Sequence, residues 1–412
     1  MSGTEVDVAI VGAGAAGVAA GRRLAAAGLK ILLVEARDRL GGRGYTVAGP
    51  AGSALDLGCG WLHSGDLNPW VPIVERQGRT VDRSPPPWAK PALEAGFPAE
   101  EQADWRAANE SFSARLASAD LSDPDRPVSD MLEPGSRWNG MLGAISSYVS
   151  GAEPERVSAR DLRNYADSGV NWRVREGFGA VIATHGAGLP VALGRPARRI
   201  DHSGRRLRIE TDHGTVEAGQ AIVTVPSALI AAEAISFFPA LPEKVEAAQG
   251  LPLGLADKLY LALDGAEAFP ADSRVFGRTD RTATASYQLR PLGAPLVEAY
   301  FGGACAAALE RGGVAAFAAF AREELAGVFG ADFTKRVTPL AMHLWAADPF
   351  SRGAYSYAVP GRAADREVLA APIDGKLFFA GEATSVHDYS TAHGALSTGL
   401  RAAEEVLAAR RR

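Results

Sequence analysis

VDVAIVGAGAAG, residues 6–17, joins a short apolar run to three glycines in the spacing G-x-G-x-x-G. Val6–Val11 suits a strand buried on both faces. An alanine-rich helix follows to about Ala27, with Gly28 as its stop. Lys30 to Glu35 reads as a second buried strand. Strand, helix and strand within about 30 residues form a βαβ unit with a right-handed crossover. Gly12 permits the tight turn, Gly14 lets the backbone approach a pyrophosphate, and Gly17 lets helix and strand pack closely. Backbone N–H groups at the helix start, Ala15 among them, then face the negative charge. Glu35, with Ala36 after it, ends the second strand, where a carboxylate accepts both ribose hydroxyls and repels a 2′-phosphate. By itself this unit leaves NAD and FAD both open.

Outward from the motif, the chain changes character at residues 84–130. Pro85-Pro86-Pro87 interrupts regular structure, and polar and acidic residues follow among Trp88, Trp105, Phe112 and Leu116. This reads as a connection into helices of a second domain. Ala197 to Val225 reads as a three-stranded β-meander with turns at Ser203-Gly204 and His213-Gly214. Phe317, Ala321, Leu325 and Val328 recur at helical spacing, and Gly394–Leu407 repeats the pattern. With 412 residues, two domains are expected.

Composition excludes several classes of function. The net charge is -5, and no basic footprint is concentrated anywhere, so nucleic acid is not an expected partner. The two cysteines, Cys59 and Cys305, have neither zinc-ligand spacing nor the density of a disulfide framework. No metal site is expected. No apolar stretch approaches the ~20 residues of a membrane span. Neither a leader peptide nor a lipid anchor behind the terminal Ala-Ala-Arg-Arg-Arg is expected, and a cytoplasmic location follows.

Downstream of Glu35 stand EARDRLGGR (35–43), DLGCGWLH (56–63), REGFGAVI (175–182), IVTVPSAL (222–229) and ADKLYL (256–261). Trp345 precedes DPFSRGAYSY (348–357), and LFFAGEATS (377–385) and TAHGALSTGLRAAEEVL (391–407) close the series. With these blocks in this order, the sequence resembles the flavin-dependent amine oxidases: monoamine oxidases, polyamine oxidases and lysine-specific histone demethylases. The resemblance covers nearly the whole chain. It implies an α/β fold with an α+β second domain. The first part would be a Rossmann-like FAD-binding domain with a β-meander, at 1–80, 173–247 and 350–412. The second would be a substrate-binding domain of mixed sheet flanked by helices, at 81–172 and 248–349.

Residue by residue, the resemblance assigns Gly12, Gly14, Gly17 and Glu35 to the ADP moiety, with Arg37, Gly42 and Arg43 beside it. Gly58, Gly60, Trp61 and Leu62 would line the isoalloxazine. Ala197 would offer backbone atoms to the adenine, and Gly381 and Glu382 would meet the ribityl and pyrophosphate. Ala392, at a helix start, would aim its N–H at the pyrimidine edge, and Trp345 would pack near the dimethylbenzene edge. Ala354 stands where monoamine oxidases carry a flavin-linking cysteine, so non-covalent FAD is expected.

The resemblance also supplies the chemistry: a hydride equivalent moves from the carbon beside nitrogen to flavin N5, and O2 reoxidises the flavin to give H2O2. Lys258 would hold a water near N5; its alternative is an edge-strand lysine in solvent. Tyr355 matches an aromatic wall of the amine site, and Tyr357 is expected in the core. The second wall falls on Thr391, which leaves the cage open on one side and admits a bulkier or longer amine. His63 could accept the amine's proton or hold its position, and His393 is expected to cap the last helix. Arg83, Arg173 and Arg352 are the candidates for a substrate carboxylate. The expected partners are a small-molecule amine and O2, and a homodimer is the expected assembly. Competing readings are an FAD-dependent desaturase or oxidase of a carbon substrate (carotenoid desaturase or protoporphyrinogen oxidase-like), a flavin mutase, and a non-enzymatic FAD-stabilised scaffold.

Overall fold

The structure, a computed structural model, describes residues 4–120 and 124–411; Arg412 and a piece of the 84–130 connection lie outside the described residues. The first strand spans Thr4–Val11 and the second Ile31–Val34, with helix Ala15–Ala26 between them. The two strands pair in parallel. Behind the helix, Gly28 takes φ +81 and lets the Leu29 N–H return to Leu24 O at 3.2 Å, a closure a side chain would strain.

On its other edge the first strand pairs in parallel with Gly214–Val223, the last strand of the meander. The meander strands Ala197–Asp201, Leu207–Thr211 and Gly214–Val223 are antiparallel to one another. Leu377–Phe379 adds in parallel to Gly214–Val223. One eight-stranded sheet is thus assembled from segments far apart in sequence. Two helices cover one face: the first, and the C-terminal helix Ala392–Ala409. Val8, Ile10, Leu24, Leu33, Ala402 and Val406 form the core beneath them. The helices touch closely, since a Cβ at Gly399 would sit 2.2 Å from Ala16 O.

The second sheet has five strands. Ala256–Leu263 lies between Leu296–Gly302 and Val337–Met342, with Ser286–Leu289 and then Ser273–Phe276 beyond Leu296–Gly302. Its pairings are all antiparallel, so the mixture of parallel and antiparallel strands belongs to the first sheet. Period-two alternation sorts its side chains. Leu259, Leu261, Tyr287, Val297 and Phe301 pack against Phe317 and Leu325 of helix Gly313–Phe329. Lys258, Ser286, Gln288, Glu298 and Tyr300 therefore occupy the opposite face. A small antiparallel sheet of Trp61–Leu62, Trp172–Val174 and Val81–Asp82 joins the early and middle parts of the chain.

Candidate active site

A cavity of about 770 Å³ begins where the first two strands end, at Val11, Gly12, Val34 and Glu35, and continues to the open face of the second sheet. Ligands of open α/β sheets bind at such strand ends. Of the residues assigned above to the cofactor, together with Lys258, Tyr355, His63 and Thr391, all but Gly17 and Leu62 line this cavity. Gly17 acts from behind: a Cβ there would fall 2.0 Å from Gly12 O. Leu62 is a correction. It is fully buried and packs with Trp70, Val74 and Phe178. Trp61, its neighbour on the strand, faces the cavity, so alternation sends Leu62 into the core.

The nucleotide end suits an anionic dinucleotide. The first helix begins at Gly14 without a side-chain cap, which leaves its leading N–H groups directed at the cavity. Glu35 is held rigidly, accepting from Ala13 N at 2.7 Å and Arg37 N at 2.8 Å. The Arg37 guanidinium is occupied by Asp348 at 2.9 Å and Ser351 at 2.7 Å. Arg43 donates to Ala354 O at 2.6 Å and to Glu382 Oε1 at 2.9 Å. Burial opposes ionisation of Glu382, but Arg43, the Ser356 hydroxyl and Arg366 outweigh it and hold the carboxyl below its usual range.

The last helix also opens on the cavity at Ala392. Its N-cap is Thr391, not the expected His393: Thr391 Oγ1 accepts from Gly394 N at 2.9 Å and donates to Asp388 O at 2.6 Å. The Thr391 hydroxyl is therefore committed to the cap. As the first helical residue, Ala392 has no intrahelical acceptor for its N–H. A donor and a helix N-terminus together favour negative charge there. Trp345 lies between cavity and core, its Nε1 donating to Leu57 O at 3.0 Å. Cys59 also lines the wall. Burial and the nearby Asp56 carboxylate push its thiol up to about 12, which leaves little thiolate.

Lys258 occupies an interior strand, not a sheet edge, and its side chain is buried. Its Nζ donates to Asp56 O at 2.9 Å. A Cβ on Gly60 would lie 3.1 Å from that nitrogen, so the glycine leaves room for the ammonium. Asp56 is in turn fixed by Phe178 N at 2.9 Å and Gly179 N at 3.1 Å, at the start of helix Phe178–Gly186.

Tyr300 sits opposite Lys258 on the neighbouring strand, and its hydroxyl meets that of Tyr355 at 3.0 Å. Tyr355 also donates to Tyr148 O. Burial, then the neighbouring Tyr300, raises the Tyr355 phenol well above its usual range, so it is neutral. Tyr357 is in the core. His63 Nδ1 lies 2.6 Å from Asn171 Oδ1. The Asn171 amide is oriented by Nδ2 donating to Gly169 O at 3.1 Å, so its oxygen accepts and His63 carries the proton on Nδ1. Burial holds this imidazole below its usual range despite the Asn171 bond. His63 is neutral at pH 7, with Nε2 as an acceptor.

The three arginine candidates fare unequally. Arg83 pairs with Glu75 on the surface, and Arg173 is bound by Asp272 and Asp82. Arg352 lines the cavity. Sequence reasoning missed Tyr300, Tyr148, Asn171 and Arg274, all on the cavity wall. Period-two counting from Lys258 places none of them, because they arrive by strand pairing and loop return. Among the described residues no helix is long and apolar enough to cross a membrane, and no group of three or more His, Cys, Asp or Glu could hold a metal ion.

Comparison with known proteins gives consistent matches. Residues 157–407 fit the model of flavin containing amine oxidoreductases, and residues 10–76 fit that of an NAD(P)-binding Rossmann-like domain. Polyamine oxidase 2 of Arabidopsis thaliana is 30% identical over 97% of this chain and 87% of its own length. Lysine-specific histone demethylase 2 of Homo sapiens is 26% identical over 98% of this chain, which spans 53% of that protein. A putrescine oxidase solved with putrescine bound shares the fold, with TM-score 0.77 and 21% identity over 99% of this chain and 100% of that one.

Proposed function

The chain belongs to the flavin-containing amine oxidoreductases and oxidises amines with FAD, and on that premise we propose how its residues share the work. Bound FAD supplies the hydride acceptor. Gly12, Gly14, Ala15, Glu35, Ala36, Arg43, Gly381 and Glu382 would hold its dinucleotide portion, and Gly58, Gly60, Trp61, Trp345 and Ala392 its ring. Residues 1–80, 173–247 and 350–412 form the FAD-binding domain in this reading, and 81–172 and 248–349 the substrate-binding domain. Lys258 keeps two ammonium protons free of Asp56 O to hold a water at the reacting centre. Tyr355 and Tyr300, joined through their hydroxyls, form one wall along which the amine lies, and the side held by Thr391 stays open. His63 Nε2 takes up the proton of the arriving ammonium, and water hydrolyses the released imine. O2 is the proposed acceptor, giving H2O2. A cytoplasmic location fits the free thiols of Cys59 and Cys305.

The observation that carries this reading is Lys258: a buried ammonium fixed by a backbone carbonyl beside Gly60, aimed into the cavity. A buried charge is costly without such a task. The test is a peroxide-coupled screen of mono-, di- and polyamines beside amino acids. Turnover of an amine is expected, and failure of every amine would favour a desaturase of carbon substrates.

Two further outcomes are expected. Acid precipitation should release the FAD into the supernatant, because Ala354 offers no thiol and Cys59 is held protonated; yellow colour kept in the pellet would contradict this. His63→Gln should lower kcat/KM at pH 7 by roughly tenfold or more, as loss of a positioned base does. Because the His63 imidazole titrates below its usual range, the wild-type profile should show no histidine limb above about pH 6.5. A limb there that vanishes in the variant would show His63 to be solvated instead.

A further inference from the structure

We infer that Arg274 is a specificity-determining residue that receives a carboxylate at the end of the substrate remote from the reacting amine. This rests on the amine-oxidation reading and adds the substrate's second functional group.

Arg274 lies on the outermost strand, Ser273–Phe276, and lines the cavity. Strand register puts it on the same face as the amine site. Arg274 pairs with Gln288, Gln288 with Glu298, and Glu298 with Tyr260. The next row runs Phe276, Ser286, Tyr300, Lys258. Arg274 is thus three strand spacings and two residues along the strand from Lys258, roughly 16 Å at ~4.8 Å per strand and ~3.4 Å per residue. The cavity follows this face from one cation to the other.

The state of the guanidinium is unusual for this molecule. Arg37, Arg173 and Arg366 are each matched by a carboxylate, Asp348, Asp272 and Asp161, and Arg39, Arg290 and Arg322, which have none, donate to backbone carbonyls instead. Arg274 forms no ion pair among the described residues, and its buried Nε has no hydrogen-bond acceptor. Its guanidinium rests over the Phe276 ring, 4.7 Å from the centroid. Burial, opposed only by Tyr148, pushes it down to about 10, so it remains a cation at neutral pH. A desolvated cation without an anion is unfavourable, and a planar fork of donors suits a carboxylate.

The acids of the cavity do not offset this. Glu298 accepts from Tyr260 Oη at 2.8 Å and lies in the field of Arg173. Asp167 is exposed at the rim. A diamine or polyamine reaching down the cavity would place its distal ammonium against Arg274. An elongated amine that ends in a carboxylate several bonds away would instead complete the site.

The test compares ω-amino carboxylates, α,ω-diamines and n-alkylamines of matched length on the holoenzyme. Alongside, binding of n-alkanoates is followed by the perturbation of the flavin spectrum. The ω-amino carboxylates should exceed the diamines tenfold or more in kcat/KM. In Arg274→Met that ratio should invert, and the alkanoate Kd should rise by roughly 10- to 100-fold, the range of a lost charge-assisted pair. Arg274→Lys, which keeps the charge but not the fork, should fall between and serves if the methionine variant does not fold. A wild-type preference for diamines, or an alkanoate Kd indifferent to both variants, would overturn the inference. If no amine of any kind reduces the flavin, the amine-oxidation reading fails, and the alkanoate Kd values still decide the role of Arg274.

Discussion

Lys258→Met is expected to slow amine-dependent flavin reduction or its reoxidation about a hundredfold or more, while FAD remains bound. Methionine keeps the length and the apolar contacts of the stem and removes only the ammonium. The fold should survive, because the Tyr260 hydroxyl, which donates to Glu298, lies 3.3 Å from Asp56 O and can turn its proton to that carbonyl. What disappears is the positioned donor on the cavity side. Removal of one preorganised group at a reacting centre lowers rates by ~10²–10³-fold. Stopped-flow spectroscopy separates the reductive and oxidative halves and shows which one the lysine serves. Unchanged rates in both halves would take Lys258 out of the reaction and with it the main support for the proposed function.

Why Lys258 stood out in sequence, while Arg274 did not, follows from how each is built in. The proposed nucleotide site is local: turn, close approach and helix start lie within Gly12–Gly17, so glycine spacing reports them directly. Lys258 breaks an apolar strand, and that contrast is visible one residue at a time. Arg274 sits on a strand with no such contrast, and its neighbours Gln288 and Glu298 arrive only through pairing across the sheet. Tyr300 is hidden for the same reason. Leu62 shows the opposite error. A two-residue strand alternates like a long one, so Trp61 and Leu62 could not both face the cavity. Thr391 illustrates a third limit. Read against an aromatic wall it is a gap, but read against the helix behind it the residue is a cap whose hydroxyl is already used.

The second large effect is expected far from the reacting atoms, at Arg366. Its guanidinium is fully buried and grips Asp161 with two bonds, Nε at 2.7 Å and Nη2 at 2.8 Å. It also donates to Ser356 Oγ at 3.0 Å, and Ser356 Oγ donates to Glu382 Oε2 at 2.6 Å. The chain Asp161, Arg366, Ser356, Glu382, Arg43 therefore runs from helix Ala159–Asn164 to the cofactor wall. Arg366→Met would leave Asp161 buried and unpaired, which typically costs about 3–5 kcal/mol. It would also loosen Glu382, so FAD affinity should fall along with the thermal midpoint. Asp161→Leu combined with Arg366→Met should be less harmful than either change alone, because the pair is removed with its desolvation penalty. FAD retention separates the two roles. If the double variant regains stability but still loses FAD, Arg366 positions Glu382. If it regains both, the pair serves packing only, and Glu382 is held without Arg366 by Arg43, Ser356 and Ser390.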